Sequence, residues 1–167
     1  KNHAGPVESK YRAAVEGMRA LDELMGRSDY PVITGLSGGV DSALVSCIAE
    51  QAFGKDRIIG CTLPSRYNSL STRKTAEHVA DSLGFSFHTI PIEELVSVHE
   101  KALAQFSPSE FNKENIQAKI RGTSILSNIA GITGGVMTNN GNKVEVALGY
   151  ATLYGDVNGA IAPIGDM

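Results

Sequence analysis

The chain has 167 residues, and its 42% hydrophobic and 20% charged content describes one globular domain rather than a disordered or coiled-coil chain. Fifteen Lys and Arg against 18 Asp and Glu leave a net charge of -3, which argues against bulk attraction to nucleic acid. No apolar run approaches the roughly 18 residues that a membrane span needs, and the polar first residues lack the apolar centre of a signal peptide.

The elements alternate along the chain. Tyr11, Ala14, Val15, Met18, Leu21 and Met25 recur at three-to-four spacing and predict a helix over Val7 to Met25. Tyr30 to Gly35 is a short β-branched run that predicts a buried strand. Val40, Ala43, Leu44, Cys47 and Ile48 then predict a helix closed by Gly54, and Arg57 to Leu63 a second strand stopped by Pro64. Ser71 is the expected N-cap of a helix with Ala76, Val79, Ala80 and Leu83 inward and Gly84 as its stop.

Phe85 to Ile90 is a third predicted strand. A helix through Leu95, Val98, Ala102 and Leu103 follows, then a polar break at Ser107-Pro108-Ser109. A longer helix is expected from Lys113 to Ala130, ending at Gly131. Gly135 to Thr138 is the fourth predicted strand, and Val144 to Leu148 begins another helix. Strands separated by helices imply parallel pairing, so the expected fold is α/β: a doubly wound, Rossmann-like parallel sheet with helices on both faces. Ligands bind such sheets beyond the carboxyl ends of the strands.

Gly35-Leu36-Ser37-Gly38-Gly39-Val40-Asp41-Ser42 follows the first strand and opens a helix. Adjacent glycines allow successive amides to face one concavity, and the helix N-terminus adds partial positive charge. Ser37 and Ser42 contribute hydroxyls. No Gly-Lys-Ser/Thr follows, so the loop is not a Walker A motif. Asp41 is a carboxylate where a simple anion site would avoid one; it makes sense beside phosphates if Mg²⁺ lies between them.

The six residues from Ser37 to Ser42 resemble the SGGxDS loop of the N-type ATP pyrophosphatases, which cleave ATP between the α- and β-phosphates and pass AMP to an acceptor. Arg66, in Pro64-Ser65-Arg66-Tyr67-Asn68-Ser69, places a fork of donors where a nucleotide would lie. Asn115, Lys119 and Arg121 supply an amide and two cations near one helix face, suited to a carboxylate or a pyrophosphate. The stretch Asn140 to Asp156 mixes Lys, acids, tyrosines and glycines after a strand, and Glu145 in it is a candidate second metal ligand.

Together PSRYxS, ENIQAxIRG and GNKxExAxGYATLYGD resemble the synthetase domain of glutamine-dependent NAD synthetases, from about Tyr30 onward. That resemblance implies an adenine nucleotide alpha hydrolase-like fold and ATP-dependent amidation of deamido-NAD to NAD, with ammonia as nitrogen donor and ATP as co-substrate. Gly35 through Ser42, Arg66 and Asn140 would bind ATP, and Asp41 and Glu145 would hold Mg²⁺. Asn115, Lys119, Arg121, Glu145, Tyr150, Thr152 and Asp156 would meet deamido-NAD. Asp41, Lys143 and Glu145 would carry the catalytic role. The resemblance further implies a homodimer.

Asn140 stands where the family has an ATP-contacting Thr, and Lys119 where Arg is usual. The chain ends just before the family's further phosphate-contacting Lys. It shows no Glu-Lys-Cys set of the kind a glutaminase domain carries. The first residue is not Met and the chain stops at Ile164-Gly165-Asp166-Met167 with no closing element, so residues 1–167 are expected to be one domain of a larger protein, with a glutaminase domain possible elsewhere in it. Cys47 and Cys61 lie in apolar contexts with no CxxC pair, which fits reduced thiols in the cytoplasm. Two other readings stay open: a catalytically incomplete nucleotide-binding module, and another SGGxDS-type ligase such as GMP synthetase.

Overall fold

The fold is a parallel sheet covered on both faces, seen in a computed structural model that describes residues 5–26, 29–148, 152, 155 and 158–167, the side chain of Val146 apart. The elements run α1 (Pro6–Met25), β1 (Val32–Gly35), α2 (Val40–Phe53), β2 (Ile58–Thr62), α3 (Leu70–Leu83), β3 (Ser86–Thr89), α4 (Glu93–Leu103) and α5 (Glu110–Lys119). A π-helical segment, Ile120–Leu126, leads into α6 (Ser127–Thr133), β4 (Val136–Met137) and α7 (Lys143–Leu148).

The strand order is β3-β2-β1-β4, all parallel, with Val32 opposite both Ile58 and Val136. The chain winds from β1 out to β3, then crosses back beneath the sheet to place β4 on the other side of β1. Side-chain alternation along β1 serves both faces. Val32 packs with Ala49, Phe53, Ala76 and Ala80 of α2 and α3. Ile33, its neighbour, packs with Val96, Ile120, Leu126 and Ala130 on the opposite face. Strands buried on both sides read as continuous apolar runs, as Val32-Ile33 and Ile58-Ile59 do.

Helix α1 lies on α2 through Val15, with Val45, Ile48 and Ile164 completing that cluster. A polar staple fixes its far end: Arg57 pairs with Asp22 at 2.8 Å, the Tyr30 hydroxyl donates to Asp22, and the Arg57 guanidinium lies 4.5 Å from the Tyr30 ring centre. No helix among the described residues is long and apolar enough to cross a membrane.

Four expectations are corrected. Helix α3 is capped by Ser69, whose hydroxyl accepts from the Thr72 amide, so it starts two residues earlier than a Ser71 cap would allow. In α4 the inward stripe is Ile92 and Val96, while Val98 is 64% exposed and Leu95 and Leu103 also face outward; a one-residue shift rotates a helical stripe by about 100°. The long helix begins at a Ser109–Asn112 capping box rather than at Lys113, and it is broken by the π-helical segment. It ends at Gly134, in the left-handed region at φ 66, because Gly131 stays within the helix.

Candidate active site

The order β3-β2-β1-β4 reverses direction at β1, and open α/β sheets bind ligands beyond the carboxyl ends of the strands at such a switch point. A cavity of about 330 Å³ lies there. Its walls come from the loop after β1, the ends of β2 and β4, the start of α7, and the α5–π-helical wall.

The β1–α2 loop supplies Gly35, Leu36, Ser37, Asp41 and Ser42 to the cavity. Gly38 has φ 84, and a Cβ there would lie 2.2 Å from the Thr72 carbonyl oxygen, so both backbone conformation and the approach of α3 require glycine. The Gly39 amide donates to Ser37 Oγ at 3.1 Å, and Ser42 Oγ donates to the Gly39 carbonyl at 2.9 Å. The two hydroxyl oxygens are 3.2 Å apart. Gly39 caps α2 without a side chain, which leaves first-turn amides available to an anion. Gly38, Gly39 and Val40 shape the turn but do not line the cavity, and Val40 is 78% exposed.

The end of β4 is tied to this loop. Thr138 Oγ1 lies 3.1 Å from Thr34 Oγ1 and 2.9 Å from Asn140 Oδ1, and Asn140 Nδ2 donates to the Gly35 carbonyl at 2.7 Å. Asn140 therefore lines the cavity with its amide already committed to the phosphate-loop backbone. Beyond it, Asn142 and Glu145 form a reciprocal cap on α7. The Asn142 amide donates to Glu145 Oε2 at 3.1 Å, and the Glu145 amide to Asn142 Oδ1 at 2.9 Å. Asn142 Nδ2 reaches Asp41 Oδ2 at 3.4 Å.

Asp41 and Glu145, 104 residues apart in sequence, thus line one cavity and share a neighbour. No group of three His, Cys, Asp or Glu side chains is placed to hold a metal among the described residues. Two carboxylate ligands with the rest supplied by water and phosphate oxygens suit Mg²⁺, which binds through few protein groups and keeps several waters.

The helical wall carries Ala118, Arg121, Gly122 and Leu126. Arg121 donates through Nε to the Leu63 carbonyl at 3.1 Å, and through Nη2 to Asn68 Oδ1 at 3.1 Å. Gln117 Oε1 accepts from Ser65 Oγ at 2.8 Å and from Arg121 Nη2 at 3.3 Å. Burial pulls the Arg121 guanidinium below its ordinary pKa. No carboxylate faces it in these contacts, so it is a cation held by neutral acceptors at the edge of the site.

Several expected site residues lie elsewhere. Arg66 does not line the cavity; it pairs with Glu93 at 2.9 Å and Glu100 at 3.0 Å. Lys119 and Lys143 are exposed and also lie outside the cavity lining. Asn115 and Thr152 do come together, the Thr152 hydroxyl donating to Asn115 Oδ1 at 2.6 Å, but neither lines the cavity. Tyr150 and Asp156 fall outside the described residues. Sequence reasoning passed over Asn142, Gln117 and Asn68. Of these only Asn142 had a local signal, the N-x-x-E spacing of a capping box.

Burial pushes the Cys61 thiol up to about 11, while Cys47 is half-buried and both are free. That makes Cys61 a packing residue rather than a nucleophile.

A family profile described as NAD synthase matches residues 19–167. The glutamine-dependent NAD(+) synthetase of Synechocystis sp. is 43% identical over 154 residues, covering 86% of this chain and 27% of that protein. The enzyme of the same name from Rhodobacter capsulatus is 40% identical over 167 residues, covering 98% and 30% respectively. The chain therefore spans under a third of the length of these curated relatives.

Among solved structures, glutamine-dependent NAD+ synthetase from Acinetobacter baumannii, in complex with ADP, superposes with a TM-score of 0.93 at 34% identity. That match covers 100% of this chain and 32% of the other. NMN synthetase from Francisella tularensis gives a TM-score of 0.85 at 25% identity, covering 99% and 66%. With the profile spanning nearly the whole chain and these relatives alongside it, the chain belongs to the NAD synthase family.

Proposed function

We propose that this chain catalyses the ATP-dependent amidation of deamido-NAD to NAD, with release of AMP and pyrophosphate. The observation that carries the reading is the meeting of Asp41 and Glu145 at one cavity, beside the glycine loop, in a chain of the NAD synthase family.

A nicotinate carboxylate oxygen attacks the α-phosphorus of ATP, and the bond from that phosphorus to the leaving pyrophosphate breaks. Ammonia then attacks the acyl carbon of the mixed anhydride, AMP departs, and nitrogen loses a proton. Transfers of this kind need position and charge neutralisation more than a protein nucleophile. The first-turn amides of α2 and the Ser37 hydroxyl would donate to phosphate oxygens, while the Ser42 hydroxyl braces the loop at the Gly39 carbonyl. Asp41 and Glu145 would hold Mg²⁺, which supplies positive charge against the phosphates. Arg121, near the loop after β2, adds fixed positive charge at the cavity edge, and Asn115 with Thr152 orients the acceptor.

In this reading ammonia comes from glutamine through a glutaminase domain, the working unit is a homodimer, and the free thiols of Cys47 and Cys61 suit the cytoplasm.

The test is incubation with ATP, Mg²⁺, ammonium chloride and one acceptor at a time: deamido-NAD, nicotinate mononucleotide or xanthosine monophosphate. Pyrophosphate and NAD should form with deamido-NAD, and Asp41→Ala should abolish both while leaving the circular dichroism spectrum intact. Tight ATP binding with no pyrophosphate released from any acceptor would instead identify a catalytically incomplete module. Turnover with another acceptor alone would change the substrate.

A further inference from the structure

We infer that Asn142 is a positioning residue that sets Asp41 and Glu145 on a common divalent cation, an inference that rests on the nucleotide-and-metal reading above.

Three contacts carry it. Its backbone amide donates to Glu145 Oε2 at 3.1 Å, and its side-chain Oδ1 accepts from the Glu145 amide at 2.9 Å. Its Nδ2 turns the other way, to Asp41 Oδ2 at 3.4 Å. The first two bonds fix where α7 begins and which way the Glu145 carboxylate leans. The third reaches across to the first turn of α2.

Two carboxylates facing one cavity repel each other when no cation is present. An amide can answer that problem from both ends, because it offers an acceptor to a helix N-terminus and a donor to a carboxylate. Asp at the same position would cap α7 equally well but would present a third negative charge to Asp41. Ser would cap and present no charge, while being too short to span to Asp41. Capping alone thus tolerates Asp, Ser or Asn, and the bond to Asp41 requires Asn. Each carboxylate keeps lone pairs beyond those that Asn142 engages, so the arrangement orients the ligands without using them up. Partners that orient metal ligands in this way are worth about ten- to a hundredfold in metal affinity.

The experiment measures Mn²⁺ binding by electron paramagnetic resonance in the presence of α,β-methylene-ATP, using the full chain and its Asn142→Thr, Asn142→Ser and Asp41→Ala variants, the first two being uncharged caps too short to reach Asp41. The expected result is an about tenfold or greater loss of Mn²⁺ affinity in both Asn142 variants. Their melting temperatures should stay within about 4 °C of the parent, since the cap survives. In steady-state assays both variants should need more Mg²⁺ while the KM for deamido-NAD holds. Unchanged or tighter Mn²⁺ binding in both Asn142 variants, with Asp41→Ala losing it, would overturn the inference and leave the metal reading standing. Loss of Mn²⁺ accompanied by melting in both Asn142 variants would also overturn it, reducing Asn142 to a cap. Retention of Mn²⁺ in Asp41→Ala would remove the metal reading itself.

Discussion

Gly122 and Gly155 meet backbone to backbone: a Cβ placed on Gly122 would lie 2.2 Å from the Gly155 carbonyl oxygen. Gly122 sits in the π-helical segment and Gly155 in the stretch after α7, and both line the cavity. The π-helical segment adds a residue to the helical turn, a feature that often marks functional sites. Gly122→Ala should therefore cost about 1 to 3 kcal/mol through overpacking. It should also raise the KM for ATP, because the displaced wall is shared with the nucleotide cavity. Urea unfolding and steady-state kinetics on the same preparation check both effects.

Asn140 joins the two strand ends through its bonds to Gly35 and Thr138. Asn140→Ala removes one partner from the Gly35 carbonyl and another from the Thr138 hydroxyl, at a cost of about 1 to 3 kcal/mol. The phosphate loop starts at Gly35, so the expected kinetic signature is a several-fold rise in the KM for ATP with that for deamido-NAD little changed. Initial-rate measurements with each substrate varied in turn decide it.

Arg66 is paired with Glu93 and Glu100 and is 45% exposed at its side chain. Arg66→Ala should leave the KM for ATP within about twofold of the parent. Partly exposed pairs of this kind are worth about 0 to 1 kcal/mol, so the stability change should be small as well. A large rise in KM on titration with ATP would mean that the loop moves to bring Arg66 onto the nucleotide.

Asp22 anchors α1 to the base of the sheet. The hydrogen bond from Arg57 lowers its pKa below the ordinary 3.8, with burial opposing and the Tyr30 hydroxyl assisting. The pair's stabilisation is thus fully present above about pH 4. It is lost as acid takes the pH down through the lower folded value. Asp22→Asn should cost about 1 to 3 kcal/mol at pH 7, less than a fully buried pair because each side chain keeps some water contact. The difference from the parent should shrink toward pH 3, as denaturant melts at the two pH values will show.

Local chemistry made much of the molecule legible before folding. The run Val32-Ile33 followed by glycines announced a buried strand feeding an anion loop, because strand burial and the need for positive φ at Gly38 are properties of a few adjacent residues. The three-to-four spacing of Ala76, Val79, Ala80 and Leu83 likewise marked an inner face that the fold uses. The rotation of α4 was not legible, since Leu95, Val98 and Ala102 form as good a stripe as Ile92 and Val96, and only contact with the sheet chooses between them.

Residue types and spacing by themselves determined the alternation of strands and helices, the glycine loop, and the carboxylates at Asp41 and Glu145. Tertiary structure alone decided that these carboxylates share Asn142 and that Asn140 braces Gly35 rather than standing free. It also put Arg121 at the cavity wall while committing Arg66 to Glu93 and Glu100. The physical reason is range. Caps, turns and periodicity act over a few residues, whereas a hydrogen bond across 101 residues depends on how parallel strands stack, which no local window contains.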